Sequence, residues 1–192
     1  MGKIVISENV SLDGVVQDPT GEEGFRNGGW FLQMAGSDRE EWAKVALDEA
    51  LTAQALLLGR RSDEYFGTRW LSRTGELADR LNSLPKYVVS ASLDKPRWSN
   101  VTVLGGDIPG QVSKLREQLA GDIVVIGSIQ LARTLIEHDL ADEFRLKIFP
   151  VVLGAGLRLF GETSDKKPVR LVRARALGDG LAYLSYERIR AA

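Results

Sequence analysis

Apolar positions along this chain recur in short runs and with two periods, and the changes between them mark out the elements. Residues 3–12 (KIVISENVSL) carry Ile4, Val5, Ile6 and Val10 and predict a strand, closed by a turn at Asp13-Gly14. Residues 17–37 have no period and hold Pro19 and several glycines, and a stretch this long inside a compact domain is usually functional or mobile. Ser37-Asp38-Arg39-Glu40 has the form of a capping box, in which Ser37 accepts from an early amide and Glu40 reaches back. Trp42, Val45, Ala46 and Ala50 follow at helical spacing, and that helix ends near Gln54.

The next run, Ala55-Leu56-Leu57-Leu58, is continuous rather than alternating. That is the pattern of a strand buried on both faces, as in a parallel sheet. Gly59-Arg60-Arg61-Ser62 then opens a helical segment, and residues 74–83 are helical again until Pro85 stops them. Residues 86–91 (KYVVSA) and 101–104 (VTVL) predict two more strands, the second closed by Gly105-Gly106. Residues 109–120 are amphipathic, with Val112, Leu115 and Leu119 on one face. Residues 122–126 form the clearest buried strand, and Gly127-Ser128 leads from it into a helix carrying Leu131 and Leu135. Residues 143–153 read as a long strand interrupted by Pro150. Residues 169–176 and 181–189 alternate around Leu177-Gly178-Asp179-Gly180, a hairpin signal. Strands and helices in alternation predict an α/β fold: a twisted, mainly parallel sheet flanked by helices, with a C-terminal antiparallel hairpin. No repeat or linker divides the chain, so residues 1–192 are expected to form one domain.

Charge and composition narrow the function. The net charge of -1 provides no field for a phosphate polymer, which argues against a nucleic-acid partner while leaving room for a local anion site. With no cysteine and one histidine, disulfides, thiolate sites and multi-histidine centres are excluded, and no metal site is expected. No apolar run is long enough to span a membrane, and Met1-Gly2-Lys3 leads straight into a strand without a signal-peptide core. A cytoplasmic protein acting on a small molecule is the expectation.

Three strand ends carry phosphate-friendly residues, each with a plainer alternative. Gly127 and Ser128 open a helix whose free amides and dipole favour an anion, or Ser128 simply caps that helix. Gly59, Arg60, Arg61 and Ser62 add two guanidiniums suited to a 2′-phosphate, or two solvated arginines. Ser90, Ala91 and Ser92 offer hydroxyls to phosphate or ribose, or only turn chemistry. In open α/β sheets, ligands gather outside the carboxyl ends of the strands. Asp13 is either a turn residue or an acid near a substrate, and Trp30 and Phe31 either stack on a planar ligand or anchor their loop. His138, between Glu137 and Asp139, fits an exposed helix end.

The segments ISENVSLDGVV (6–16), LLLGRRSDEYFG (56–67), YVVSAS (87–92) and DIVVIGSIQLARTLIEHDLADEFRLKIFPVVLGAGLRLF (122–160) resemble the dihydrofolate-reductase-like superfamily. The likeness is closer to its branch containing the reductase domain of bacterial riboflavin biosynthesis. The resemblance implies an eight-stranded sheet with NADPH across the strand ends. Gly59, Arg60, Arg61 and Ser62 would then meet the adenosine side, and Ser90, Ala91 and Ser92 the 2′-phosphate or ribose. Gly127, Ser128 and Ile129 would cradle the pyrophosphate, with Asp13 near the nicotinamide. It further implies reduction of a ribosylamino-pyrimidine to its ribityl form. Two departures stand out. The family often pairs glycines where this chain has Gly127-Ser128. Dihydrofolate reductases proper carry an acid near the first helix, where this chain reads Asn27-Gly28-Gly29-Trp30-Phe31-Leu32. Folate-type reduction through Asp38 or Asp13, a non-catalytic nucleotide-binding protein, and a structural protein with an empty cleft are the alternatives. The terminal hairpin, with Tyr183 and Tyr186, would suit sheet packing or a homodimer.

Overall fold

The structure is a computed structural model and describes residues 1–189. Eight strands form one sheet: β1 (Lys3–Ser11), β2 (Ala53–Gly59), β3 (Lys86–Val89), β4 (Val101–Leu104), β5 (Asp122–Val125), β6 (Glu143–Phe149), β7 (Val169–Leu177) and β8 (Leu181–Arg188). The helices are α1 (Gly36–Thr52), α2 (Arg60–Trp70), α3 (Glu76–Ser83), α4 (Ile108–Gln118) and α5 (Ile129–Glu137). The sheet order is β4-β3-β2-β5-β1-β6-β8-β7. The chain divides into two compact units, Met1–Ile6 with Ala46–Asp142, and Ser7–Val45 with residues from Glu143 onward.

In the first unit every strand pairing is parallel, with Lys3–Ile6 beside Asp122–Val125 and Leu56–Gly59 beside Lys86–Val89. Ile4, Val5, Ile6, Leu57, Leu58, Ile123 and Val125 have no exposed surface. This explains the continuous apolar runs, since strands covered on both faces have no polar face to alternate with. Arg116 ties α4 to the start of β1. Its guanidinium donates to the Gly2 carbonyl at 3.2 Å and pairs with Asp142 at 2.9 Å, while Asp142 accepts the Ile4 N–H at 2.8 Å.

Helix α2 docks on residues 97–98 through two positions one turn apart. Asp63 is fully buried and accepts the N–H groups of Arg97 (2.7 Å) and Trp98 (3.1 Å). Gly67 lies so close that an added Cβ would come within 2.8 Å of the Trp98 nitrogen. Lys86 is buried beneath this segment, with Nζ 4.5 Å from the Trp98 ring centroid and donating to the Leu84 carbonyl at 2.8 Å and the Asn82 carbonyl at 3.1 Å.

The second unit holds the antiparallel strands. Its core gathers Trp30, Met34, Val45, Phe149, Leu177, Leu181 and Tyr183. The irregular 17–37 stretch is internally fastened. Asp18 is buried, and its carboxylate accepts the N–H groups of Glu22 (2.7 Å), Glu23 (3.1 Å) and Phe25 (3.0 Å). Gly28 closes against it, since a Cβ there would lie 2.6 Å from the Asp18 Oδ2.

The capping-box expectation fails. Helix α1 begins at Gly36, so Ser37 lies inside it and donates to Asp179 Oδ2 at 2.9 Å. Asp38 instead accepts the N–H groups of Asp179 (2.6 Å) and Gly180 (3.1 Å), clasping the β7–β8 turn. Asp38 stands in the first turn of α1 and turns its carboxylate to these amides. Strand β6 also stops at Phe149 rather than residue 153, because Pro150 has no N–H to continue the ladder.

Two outcomes test this packing. Gly67→Ala should destabilise the protein by about 1–3 kcal/mol, because the new methyl meets backbone that cannot move aside. A denaturant midpoint unchanged from the parent would contradict the contact. Burial lowers the Lys86 pKa from 10.5 to about 8, opposed by the charge of Asp63. The unfolded chain therefore binds more protons between pH 8 and 10.5, and stability attributable to Lys86 rises with pH across that window. The difference in unfolding free energy between the parent and Lys86→Met should shift in the parent's favour from pH 7.5 to 10.5, whereas a pH-independent difference would exclude the mechanism.

Candidate active site

Within the first unit, Gly59, Arg60, Arg61 and Ser62 and Gly127, Ser128 and Ile129 come together at the carboxyl ends of β2 and β5. These strands are neighbours, yet the chain leaves β2 toward β3 on one side and leaves β5 toward β6 on the other. Such a reversal opens a crevice at the strand ends, the usual ligand position in an α/β sheet. Helix α2 starts there with Gly59 as N-cap, and α5 starts there with Ser128 as N-cap.

Two hydroxyls lock the loops to each other. Ser128 Oγ accepts the Gly59 N–H at 3.0 Å and has Ser62 Oγ at 2.8 Å and the Ile126 carbonyl at 3.0 Å as acceptors for its own proton. Ser62 Oγ donates to the Gly127 carbonyl at 2.9 Å. Gly127 has φ +58°, and a Cβ there would lie 3.0 Å from the Phe66 ring. Glycine is required both by the left-handed backbone and by the approach of α2. The capping reading of Ser128 does not hold: its hydroxyl makes no cap bond to α5 and bonds Gly59, Ser62 and Ile126 instead.

What these loops present outward is backbone and guanidinium. The first-turn amides of a helix have no partner within it, and α5 has neither a side-chain cap nor an acid in its first turn. Arg60 and Arg61 are exposed on the first turn of α2, Arg60 with only a distant approach to Glu64 at 3.9 Å. At the end of β3, Ser90 Oγ accepts the N–H groups of Ser92 (3.2 Å) and Leu93 (3.0 Å), the turn chemistry weighed above, and its hydroxyl proton remains to be donated. Ala91 and Ser92 are exposed beside it.

The candidates in the second unit have different surroundings. Asp13 accepts from Ser11 Oγ (2.7 Å), the Leu153 N–H (3.1 Å) and the Gly154 N–H (2.9 Å). The Ser11 hydroxyl and these amides lower its pKa to about 2. At neutral pH it is an ionised clasp on the 153–154 turn. Trp30 is 2 % exposed, edge-on to Phe149 at 5.1 Å, and donates from Nε1 to the Gln17 carbonyl. Phe31 packs edge-on against Trp42 at 5.0 Å. Trp30 anchors its loop and offers no open face to a planar ligand, whereas Phe31 is only part-buried. His138 is exposed at the end of α5, and among the described residues no cluster of His, Cys, Asp or Glu is fit to hold a metal. Sequence reasoning passed over Asp18 and Asp63. The signal for Asp18 was the Asp-Pro-Thr-Gly start of its loop, since aspartate readily bonds amides just ahead of it in turns.

Sheet order and strand-end loops together define a dihydrofolate-reductase-like α/β fold, and solved structures agree. The chain matches a putative riboflavin biosynthesis protein from Shewanella sp. PV-4 with TM-score 0.77, at 20% identity over 98% of this chain and 99% of that one. It matches dihydrofolate reductase from Enterococcus faecalis, complexed with NADP(H) and RAB-propyl, with TM-score 0.59, at 15% identity over 97% and 96%. The chain belongs to the RibD C-terminal domain family, whose profile covers residues 2–183. Among curated proteins it is 26% identical to the uncharacterised protein YyaP of Bacillus subtilis (strain 168), over 96% of this chain and 94% of that one.

The serine lock carries a prediction. Ser128→Ala leaves the Gly59 N–H without its acceptor and should cost about 1–3 kcal/mol. Ser62→Ala in addition should cost less than the sum of the two single changes, because both hydroxyls serve one chain of bonds. Strictly additive losses in denaturant melts would show that the two act separately.

Proposed function

We propose that this protein is an NADPH-dependent reductase of a small heterocyclic substrate, of the type of 5-amino-6-(5-phosphoribosylamino)uracil reductase. The observation that carries this reading is the pair of helix N-termini at the ends of β2 and β5, one without an acid and the other bearing two exposed arginines. The residues suit a dinucleotide in charge. The α5 amides from Ile129 onward suit a pyrophosphate, and the missing side chains at Gly59 and Gly127 keep backbone within reach of it. Arg60 and Arg61 suit a 2′-phosphate through planar paired donors, with Ser90 and Ser92 as further hydroxyls. Ser62 and Ser128 act as positioning residues that hold the two loops in register.

NADPH bound in this way supplies hydride. The protein's part is to orient the reactants and keep water out. Asp13, ionised at neutral pH, serves as an acceptor that shapes the 153–154 turn. Membership of the RibD C-terminal domain family supports the pyrimidine substrate class. Folate-type reduction is the weaker reading, because the Asp38 carboxylate is already taken by the Asp179 and Gly180 amides.

Tryptophan fluorescence during titration with NADPH and with NADH tests the proposal. NADPH should bind more tightly, and the Arg60→Ala/Arg61→Ala double variant should weaken NADPH about 10-fold or more while changing NADH little. Loss of reduced-nicotinamide absorbance with the ribosylamino-pyrimidine, and not with dihydrofolate, would then assign the substrate class. Failure of both nucleotides to bind would end the reductase reading. Tight binding without turnover on either substrate would favour a nucleotide sensor.

A further inference from the structure

Side chains two residues apart share one face of a strand, so Ser7, Asn9 and Ser11 form a polar row where β1 runs through the second unit. Two of the three are committed within the protein. Ser7 Oγ accepts from Lys147 Nζ, and both residues are buried. Ser11 Oγ accepts the Val15 N–H at 2.8 Å and donates to Asp13 at 2.7 Å. Asn9 is half-buried and only half used. Its Oδ1 accepts the Trp42 Nε1–H at 2.8 Å, while its Nδ2 has no acceptor among the described residues.

An indole N–H can only donate, so it fixes which end of the Asn9 amide meets Trp42 and which end is left over. Asn82 shows the purely structural form of the same clasp. Its Oδ1 accepts the Trp98 Nε1–H at 2.7 Å, and its Nδ2 donates to the Trp70 carbonyl at 2.9 Å, so both ends are satisfied. Asn9 repeats the indole bond and keeps its donor end in hand. The rings beside it are also partly open. Trp42 and Phe31 meet edge-on at 5.0 Å, both are half-buried, and Leu32 next to Phe31 is 55 % exposed. A single oriented donor beside aromatic and apolar surface suits a planar ring that carries an acceptor.

We infer that Asn9 is a specificity-determining residue whose side-chain N–H donates to a ring carbonyl of the heterocyclic substrate, with Trp42 as the positioning residue that holds the amide in that sense. The inference rests on the reductase reading above and narrows its substrate to rings of the lactam type. An amino group in place of the carbonyl would set donor against donor and leave the Asn9 N–H without an acceptor.

Binding of two pyrimidines to the full chain, followed by tryptophan fluorescence at a pH where both are neutral, tests it. In 5,6-diaminouracil two ring positions carry carbonyls where tetraaminopyrimidine carries amino groups. The parent should bind the uracil about 10-fold more tightly. Asn9→Asp keeps an acceptor for Trp42 and removes the donor, so the preference should vanish or reverse. Trp42→Phe keeps a ring against Phe31 and frees the amide to turn its oxygen outward, so it should tighten the tetraamine and narrow the preference. That second readout stands even if the aspartate variant fails to fold. Equal affinity for the two rings in the parent, no binding of the uracil, or a preference that survives in the folded variants would overturn the inference. NADPH titrated in parallel separates it from the reductase reading. A parent that binds NADPH without a preference between the rings loses only the role of Asn9. A parent that prefers the uracil yet binds no nucleotide keeps Asn9 as a carbonyl donor and ends the reductase reading.

Discussion

Main-chain N–H groups that leave regular structure must still find acceptors, and here aspartate carboxylates meet that demand. Asp18 gathers three amides of the 17–37 loop, Asp38 two of the β7–β8 turn, and Asp63 two of the 97–98 segment. Asp13 takes two more at residues 153–154. A carboxylate offers two oxygens with several lone pairs, so one side chain can fix several consecutive amides. Irregular backbone thereby gains a defined course without becoming helix or strand. A charge-assisted bond of this kind is also about twice as strong as a neutral one.

The same constraint shapes the strand ends of the first unit. A ligand at a helix N-terminus is recognised by amides, so those amides must be left for it while the loops around them are held still. The chain resolves this by using serine hydroxyls for the holding. Ser62 and Ser128 bond each other and the backbone beside them, leaving the first-turn amides of α5 without a competing side chain. This accounts for serine where the wider superfamily often has a second glycine. A glycine would admit an anion equally well but would leave the Gly59 N–H without its acceptor.

Much of this was legible in the sequence because burial on both faces leaves an unmistakable trace. The runs at Ala55–Leu58 and residues 122–126 announced parallel strands, and Gly178–Gly180 announced the hairpin. The glycines and arginines of the strand ends were also visible, since they follow those runs directly. What stayed hidden were partnerships distant in sequence. Ser37 through Glu40 spells a capping box, yet Asp38 binds a turn more than a hundred residues away, and local pattern carries no record of that competitor. The two alternatives for Trp30, stacking on a ligand or anchoring its loop, stayed open in the sequence because the core that buries it, Phe149, Leu177 and Leu181, lies at the other end of the chain.

Asp13 shows why chemistry must be decided after geometry. An acid before glycine in a first loop is compatible with proton transfer, and nothing in its neighbours along the chain says otherwise. General acid catalysis at neutral pH needs a carboxyl raised toward 7, by burial among apolar groups or beside another anion. Asp13 has the opposite surroundings. One hydroxyl and two amides all donate to it, and each stabilises the ionised form. Protonating it would break the bonds that hold residues 153–154, so its pKa and its structural task are one property.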